Sequence, residues 1–236
     1  MNFQLIWLTL LEILKAFGIK IPEVNIPKRI GNRVQEPQAP YIHVTPMMKP
    51  RLPIKIDITG SRPWEGIVWH HSQTNDSVQL DDYAGIMKYQ MSYRIDYNPV
   101  SKEEFDIRKA AGRGTKFEPP FKTIAYNGVA EYAGGKLMFH WGRPLSMVGS
   151  HSGTKVSNFY NTNYIGLCMI GNYDVRIPTD EIWKFCLMLT RSFMDVFNIP
   201  AEKVIGHKEV YGKLAIGVEK LCPGKLWDAS KFRGDL

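Results

Sequence analysis

Two fragments far apart in the chain carry side chains suited to metal chemistry. Val68-Trp69-His70-His71-Ser72 and Gly206-His207, the latter followed by Lys220-Leu221-Cys222-Pro223-Gly224, together offer two imidazoles and a thiolate. Three such ligands with one position left open are what a catalytic zinc ion needs, because the fourth site must receive water or substrate. Hydrolysis assisted by zinc is the chemistry these residue types suggest. Each has a plainer reading: a lone histidine is more often structural than a ligand, and Cys222 alone is a half-exposed thiol in a turn. Lys220 close by would favour its thiolate. Cys168 lies in the apolar run Tyr164-Ile165-Gly166-Leu167-Cys168-Met169-Ile170 and Cys186 in a helical pattern, so both read as buried small hydrophobes. Three cysteines with these spacings make no disulfide framework.

The elements that must hold these residues can be read from the patterning. Residues 66–70, Gly-Ile-Val-Trp-His, read as a buried strand that ends in polar residues. A helix is expected from about residue 80 to 93. Residues 94–122 are charged, contain Gly112-Arg113-Gly114 and show little periodicity, which reads as a loop-rich insertion. Strands are expected at 123–126 and 136–141, forming a hairpin across the Gly134-Gly135 turn, and a central strand within 163–172. Thr179 is a reasonable N-cap for a helix to about Phe197, which Ile199-Pro200 stops. Val204-Ile205-Gly206-His207 is then a short strand delivering a histidine. The expected class is α/β, a mixed sheet flanked by helices with His70 and His207 at strand ends.

The chain of 236 residues can bury a sizeable core, and 44% hydrophobic with 12% aromatic residues exclude a disordered polypeptide. A net charge of +7 favours an anionic partner: nucleic acid, an anionic lipid surface or a bacterial wall polymer. No block of five or six Lys/Arg with interleaved aromatics occurs, so nucleic-acid binding is not expected.

Residues 3–17 are rich in Leu, Ile, Phe and Trp. No Lys or Arg precedes this stretch, Glu12 and Lys15 interrupt it, and no small-residue cleavage site follows, which argues against a signal peptide and against a membrane span. On a helix, Phe3, Ile6, Trp7, Leu10, Leu11, Ile13, Leu14 and Phe17 share a broad face. An amphipathic helix over 1–18 is expected, with its own domain, a neighbouring subunit, a virion protein or a membrane surface as the alternatives for what residues 1–17 meet. Residues 19–63 carry Pro22, Pro27, Pro37, Pro40, Pro46, Pro50, Pro53 and Pro63 and read as an extended arm, in which Tyr41-Ile42-His43-Val44 and Ile54-Lys55-Ile56-Asp57-Ile58 could add edge strands. The compact domain is expected over 64–236.

Several blocks in order carry a family resemblance. Val68-Trp69-His70-His71-Ser72, Tyr126-Asn127, Gly142-Arg143, Val148-Gly149-Ser150-His151, Asn163-Tyr164-Ile165-Gly166, Gly206-His207-Lys208-Glu209-Val210 and Lys220-Leu221-Cys222-Pro223 together resemble the type-2 N-acetylmuramoyl-L-alanine amidases. This superfamily includes the phage amidase lysozymes, or endolysins, and the peptidoglycan-recognition proteins. The resemblance runs from about Trp64 to the C-terminus, while the first sixty or so residues match nothing in it. It implies a central mixed sheet with flanking helices, one zinc ion in a groove, bacterial peptidoglycan as substrate, and hydrolysis of the amide between the muramyl lactyl group and L-alanine.

Carried over by position, the zinc ligands would be His70, His207 and Cys222. His71 would be a neighbour only, in keeping with the opposite facing of adjacent strand residues. The resemblance makes Tyr126 and Lys220 catalytic, the first bonding the attacking water or the intermediate and the second stabilising the oxyanion. His151 would belong to the groove wall or a proton relay. Arg143 and Asn163 could hold saccharide or peptide groups, or serve turn bonding instead. His140 and His43 read as ordinary strand and surface residues.

The pattern is departed from in three places: the fourteen residues from Lys208 to Leu221 that separate His207 from Cys222, the insertion at 94–122, and the N-terminal helix and arm. Such additions suit an enzyme tethered to a larger assembly such as a virion component, though a free lysin also fits. The substrate places the action at the cell wall, in the periplasm or outside the cell. Two other readings keep the fold: a peptidoglycan-binding module that does not cut, and a structural zinc protein of a virion or membrane assembly with Asp228 or Glu209 as a fourth ligand.

Overall fold

The computed structural model describes residues 42–44, 56–74, 82–133, 135–153, 157–211 and 221–236. The expected N-terminal helix, most of the proline-rich arm and Lys220 lie outside the described residues. In chain order the strands are β1 (Ile42–Val44), β2 (Gly66–His71), β3 (Tyr93–Ile95), β4 (Asn98–Val100), β5 (Phe117–Glu118), β6 (Gly128–Ala133), β7 (Lys136–Trp141), β8 (Tyr164–Met169) and β9 (Val204–Gly206). The helices are α1 (Asp82–Gln90), α2 (Lys102–Ala110), α3 (Phe159–Asn163), α4 (Asp180–Phe197), α5 (His207–Tyr211) and α6 (Ala229–Gly234).

Six strands form one mixed sheet in the order β1-β7-β6-β8-β2-β9. β1, β7 and β6 pair antiparallel, and β6, β8, β2 and β9 pair parallel. β1 is the edge strand that the β-branched run at 41–44 predicts. Residues 56–58 of the second such run are not a strand.

Strand alternation sorts the sheet into two unlike faces. Ile67, Trp69, Ala130, Leu137, Phe139, Ile165, Leu167 and Met169 point one way, into a core with Ile182, Phe185, Leu189 and Phe193 of α4, Trp227, and Phe232 of α6. The spacing of the α4 residues is the apolar stripe of an amphipathic helix. Trp69 is fully buried there, and its indole N–H donates to Thr190 Oγ1 at 3.0 Å. Burying such a ring contributes about 4–6 kcal/mol before opposing terms, which locks the rotation of β2. His70, one residue on, must therefore face the other side, where it shares a lateral row with Cys168, Val129 and His140.

α4 begins after Thr179, as expected, with Asp180 and Glu181 in its first turn and Asn198 at φ 54° as its left-handed C-cap. Two expectations are corrected. The strand placed at 123–126 is irregular backbone, and the hairpin partner of β7 is β6 at 128–133 instead. Close packing selects those small residues: a Cβ on Gly128 would lie 2.3 Å from Phe139 Cζ. Buried Asn127 completes the junction, its N–H donating to Gly166 O while its Oδ1 accepts from Gly166 N.

The segment read as loop-rich is folded. β3, β4 and β5 make a three-stranded sheet, and α2 packs Phe105 between Tyr93 and Phe117. Ser101 caps α2 by accepting from Glu104 N. Arg94 is buried and donates to the carbonyls of Tyr89, Gln90 and Ser92, tying the unit to the end of α1. Strands of two or three residues are too short to show a period, which is why the sequence reads as loop.

Candidate functional site

The parallel strands β2 and β9 bring His70 and His207 to the same edge of the sheet. His70 is the fifth residue of β2 and only 1% exposed. His207 follows β9 as the first residue of α5. Cys222 arrives from the C-terminal segment, and Gly206 makes its approach feasible: a Cβ there would meet Pro223 Cδ at 2.8 Å and Trp227 Cζ3 at 3.1 Å. Lys208 N–H then donates to Cys222 O at 2.6 Å, fastening the cysteine beside α5.

One ligand atom from each of His70, His207 and Cys222 lies within 4.8 Å of the other two. Cys222 Sγ stands 3.6 Å from His70 Nδ1. Zinc–nitrogen and zinc–sulfur bonds of about 2.05 and 2.3 Å in a tetrahedron place N and S about 3.6 Å apart, so this donor set fits the ion. Burial, with the neighbouring His207, His151 and His71, pushes the pKa of His70 well below its ordinary value, leaving the neutral imidazole that a metal requires.

The two residues considered as a fourth ligand are engaged elsewhere. Glu209 accepts from Gly206 N and from Arg233, and Asp228 Oδ1 caps α6 by accepting from Ser230 N and Lys231 N. Among the described residues the cluster has three members, the ligand number of a catalytic site. His71 lies on the opposite face, where its Nδ1 accepts from Tyr173 N and its ring stacks on Tyr173.

Tyr126 borders the cluster, its ring centroid 5.1 Å from that of His70. The side chain is half-buried, and enclosure of its hydroxyl end, with the Cys168 and Cys222 thiols nearby, raises its pKa well above that of an ordinary phenol. It therefore stays a hydrogen-bond donor. Cys168 is fully buried beneath it, as expected of a small hydrophobe, and burial likewise raises its pKa.

The remaining candidates take different roles, and Asn163 stands at the entry to β8, at the other end of that strand from the Cys168 position beside His70. Arg143 donates from Nε to Ile124 O and from one terminal nitrogen to Val148 O, bracing the 142–148 loop. Asn163 Nδ2 donates to Phe159 O within α3, and Asn163 O accepts from Glu65 N. His151 is buried, its Nδ1 3.0 Å from His70 Nε2 and 2.8 Å from Ser152 Oγ, and its Nε2 3.1 Å from Tyr164 O.

Sequence reasoning passed over Ser152 and Asn161. Buried Asn161 accepts through one oxygen from His151 N and Ser152 N, at 2.8 and 2.7 Å, and so fixes the turn that carries both. It also passed over Glu131. This buried carboxylate pairs with His140 Nε2 at 2.9 Å on the same face of the sheet, under the stacked ring of Tyr83. With the strand expected at 123–126 and β6 actually at 128–133, the sequence offers no phase on which Glu131 would stand out.

Residues 60–225 match the family model described as N-acetylmuramoyl-L-alanine amidase. Among solved structures the chain is similar to the endolysin amidase LysCS from Clostridium intestinale, at 21% identity over 73% of this chain and 83% of that one, TM-score 0.44. It is also similar to bumblebee PGRP-SA, at 17% identity over 71% and 80% of the two chains, TM-score 0.44. Wild-type Drosophila PGRP-LB gives 20% identity over 74% and 82%, TM-score 0.41. A search of curated protein sequences found no match.

Proposed function

Because the chain belongs to the N-acetylmuramoyl-L-alanine amidase family, we propose that it hydrolyses bacterial peptidoglycan at the amide between the lactyl group of N-acetylmuramic acid and L-alanine of the stem peptide. One zinc ion, held by His70, His207 and Cys222, is its cofactor in this reading. The observation that carries it is the convergence of two imidazoles and a thiol, none adjacent in sequence, at the edge of the sheet.

A zinc ion bound there supplies Lewis acidity toward the scissile carbonyl and toward water. The chain supplies the rest. His70, kept neutral by burial, and His207 offer imidazole nitrogens, while Tyr126, whose buried hydroxyl is held in its protonated form, donates a hydrogen bond to the oxygen that gains charge as the amide carbon becomes tetrahedral. Lys220, two positions before Cys222 in sequence, is assigned the second positive influence on that oxygen. Residues 1–17 are assigned the contact with a virion component or a membrane surface, so that the hydrolase meets the wall from the periplasm or the exterior.

Digestion of purified peptidoglycan, with mass spectrometry to identify the bond cut, tests the assignment. New L-alanine amino termini on intact glycan chains, lost with a chelator and regained with zinc, are the expected result. A zinc-loaded protein that binds the wall and leaves it whole would replace the enzyme by a binding module of the same family.

A further inference from the structure

His151 has a place in the metal site that differs from contact with substrate. Its imidazole fills a niche cleared by two glycines: a Cβ on Gly166 would lie 2.3 Å from His151 Cδ2, and one on Gly149 would lie 2.7 Å from the same atom. Asn161 holds the backbone at 151 and 152 from below. The ring is thus fixed in position and angle before any ligand arrives.

The hydrogen bonds then determine where the protons sit. Tyr164 O is a carbonyl and only accepts, so His151 Nε2, 3.1 Å away, carries the hydrogen. A neutral His151 consequently has a bare Nδ1, and this atom faces His70 Nε2 at 3.0 Å. One proton must lie between two nitrogens at that separation, and it can only be on His70. A neutral imidazole has a single N–H, so His70 Nδ1 is bare, and it is Nδ1 that stands 3.6 Å from Cys222 Sγ. Ser152 Oγ lies 2.8 Å from His151 Nδ1 and 3.4 Å from His70 Nε2, so it can join this bond without moving the proton.

We propose that His151 is a positioning residue of the metal site, whose Nδ1 accepts the Nε2–H of His70 and thereby holds His70 in the tautomer and ring angle that present Nδ1 to zinc. The relay runs from the Tyr164 carbonyl through His151 to His70, joining β8 to β2 across the sheet. It fills the place usually taken by a carboxylate or a backbone carbonyl behind a metal-bound histidine. A carboxylate there would add a negative charge to a thiolate site, whereas a neutral imidazole orients His70 without changing the net charge. The inference rests on the zinc reading of His70, His207 and Cys222.

The test is zinc affinity of the full chain, measured by competition with a chromogenic chelator, for wild type, His151→Ala, His151→Gln and Cys222→Ser. Loss of an outer partner of this kind lowers metal affinity by about 10- to 100-fold, which is the result expected of His151→Ala. His151→Gln restores much of it, since its amide oxygen can accept from His70. Equal affinity in His151→Ala and wild type would overturn the proposal and leave the metal site standing. Absence of zinc binding by wild type, or binding unchanged in Cys222→Ser, would overturn the site and the proposal together. A second readout needs no variant: long-range 15N–1H correlation on metal-free wild type should find His70 and His151 both protonated at Nε2. A His70 protonated at Nδ1 would refute the relay.

Discussion

Substitution of Gly166 by alanine tests the packing beneath the cluster of His70, His207 and Cys222. The new Cβ would lie 2.3 Å from Cδ2, 2.5 Å from Cγ and 2.8 Å from Nε2 of His151. Carbon atoms in contact prefer about 3.5–4.0 Å, so ring and strand must part by more than about 1 Å. Neither is free to do so. Gly166 is bonded to Asn127 through both its N–H and its carbonyl, and the His151 turn is held by Asn161. Relief therefore takes the ring away from His70 and Tyr164, breaking two buried hydrogen bonds. Overpacking of about 1–3 kcal/mol and two such bonds at about 1 kcal/mol each sum to roughly 3–5 kcal/mol. In a chain of this size that lowers Tm by about 10 °C.

Urea and thermal denaturation of wild type, Gly166→Ala, His151→Ala and the double variant would measure it. With the imidazole removed the alanine methyl has room, so Gly166→Ala should cost less than about 1 kcal/mol in the His151→Ala background, a coupling of at least about 2 kcal/mol between the two sites. An equal penalty in both backgrounds would refute the reasoning, because the cost would then lie in the strand and not in the contact with His151.

Two further outcomes follow from the site. Tyr126→Phe should lower kcat on peptidoglycan by about 10²- to 10³-fold with zinc affinity unchanged, and a loss confined to KM would remove Tyr126 from the chemistry. Burial holds the pKa of His151 down at about 4 from an ordinary 6.5 and lowers that of His70 in the same direction. The unfolded chain therefore takes up protons below pH 6.5 that the fold refuses. Metal-free protein should lose about 3 kcal/mol from His151 alone between pH 6.5 and 4, with His70 adding to it. A flat stability profile over that range, read by urea denaturation, would contradict the burial of both rings.

The main features of the fold could be read because long apolar elements announce their period. β2, β7, β8 and α4 all lie where the patterning puts them: β2 and β8 are buried on both faces and read as short apolar runs, and α4 carries the 3.6-residue apolar stripe. The unit formed by β3, β4, β5 and α2 could not be read this way, because its core is three aromatic rings from short elements and α2 buries only Phe105. The strand at 123–126 misled for another reason. β-branched and aromatic residues favour strands in general, but the sheet at that point needs Gly128 and Ala130, which leave space for Phe139.

The sequence by itself determined the donor set. Imidazole and thiol are properties of single residues, and the block order around His70, His207 and Cys222 is enough to identify the N-acetylmuramoyl-L-alanine amidase family. It also determined that His70 and His71 face opposite ways, because strand alternation is local. Which nitrogen of His70 faces Cys222, what stands behind that ring, and where the carboxylates of Glu209 and Asp228 go were decided only by the tertiary structure. His70 and His151 are 81 residues apart and His70 and Cys222 are 152 apart. A proton's position on an imidazole depends on a contact at 3 Å across such separations, and no spacing along the chain records it.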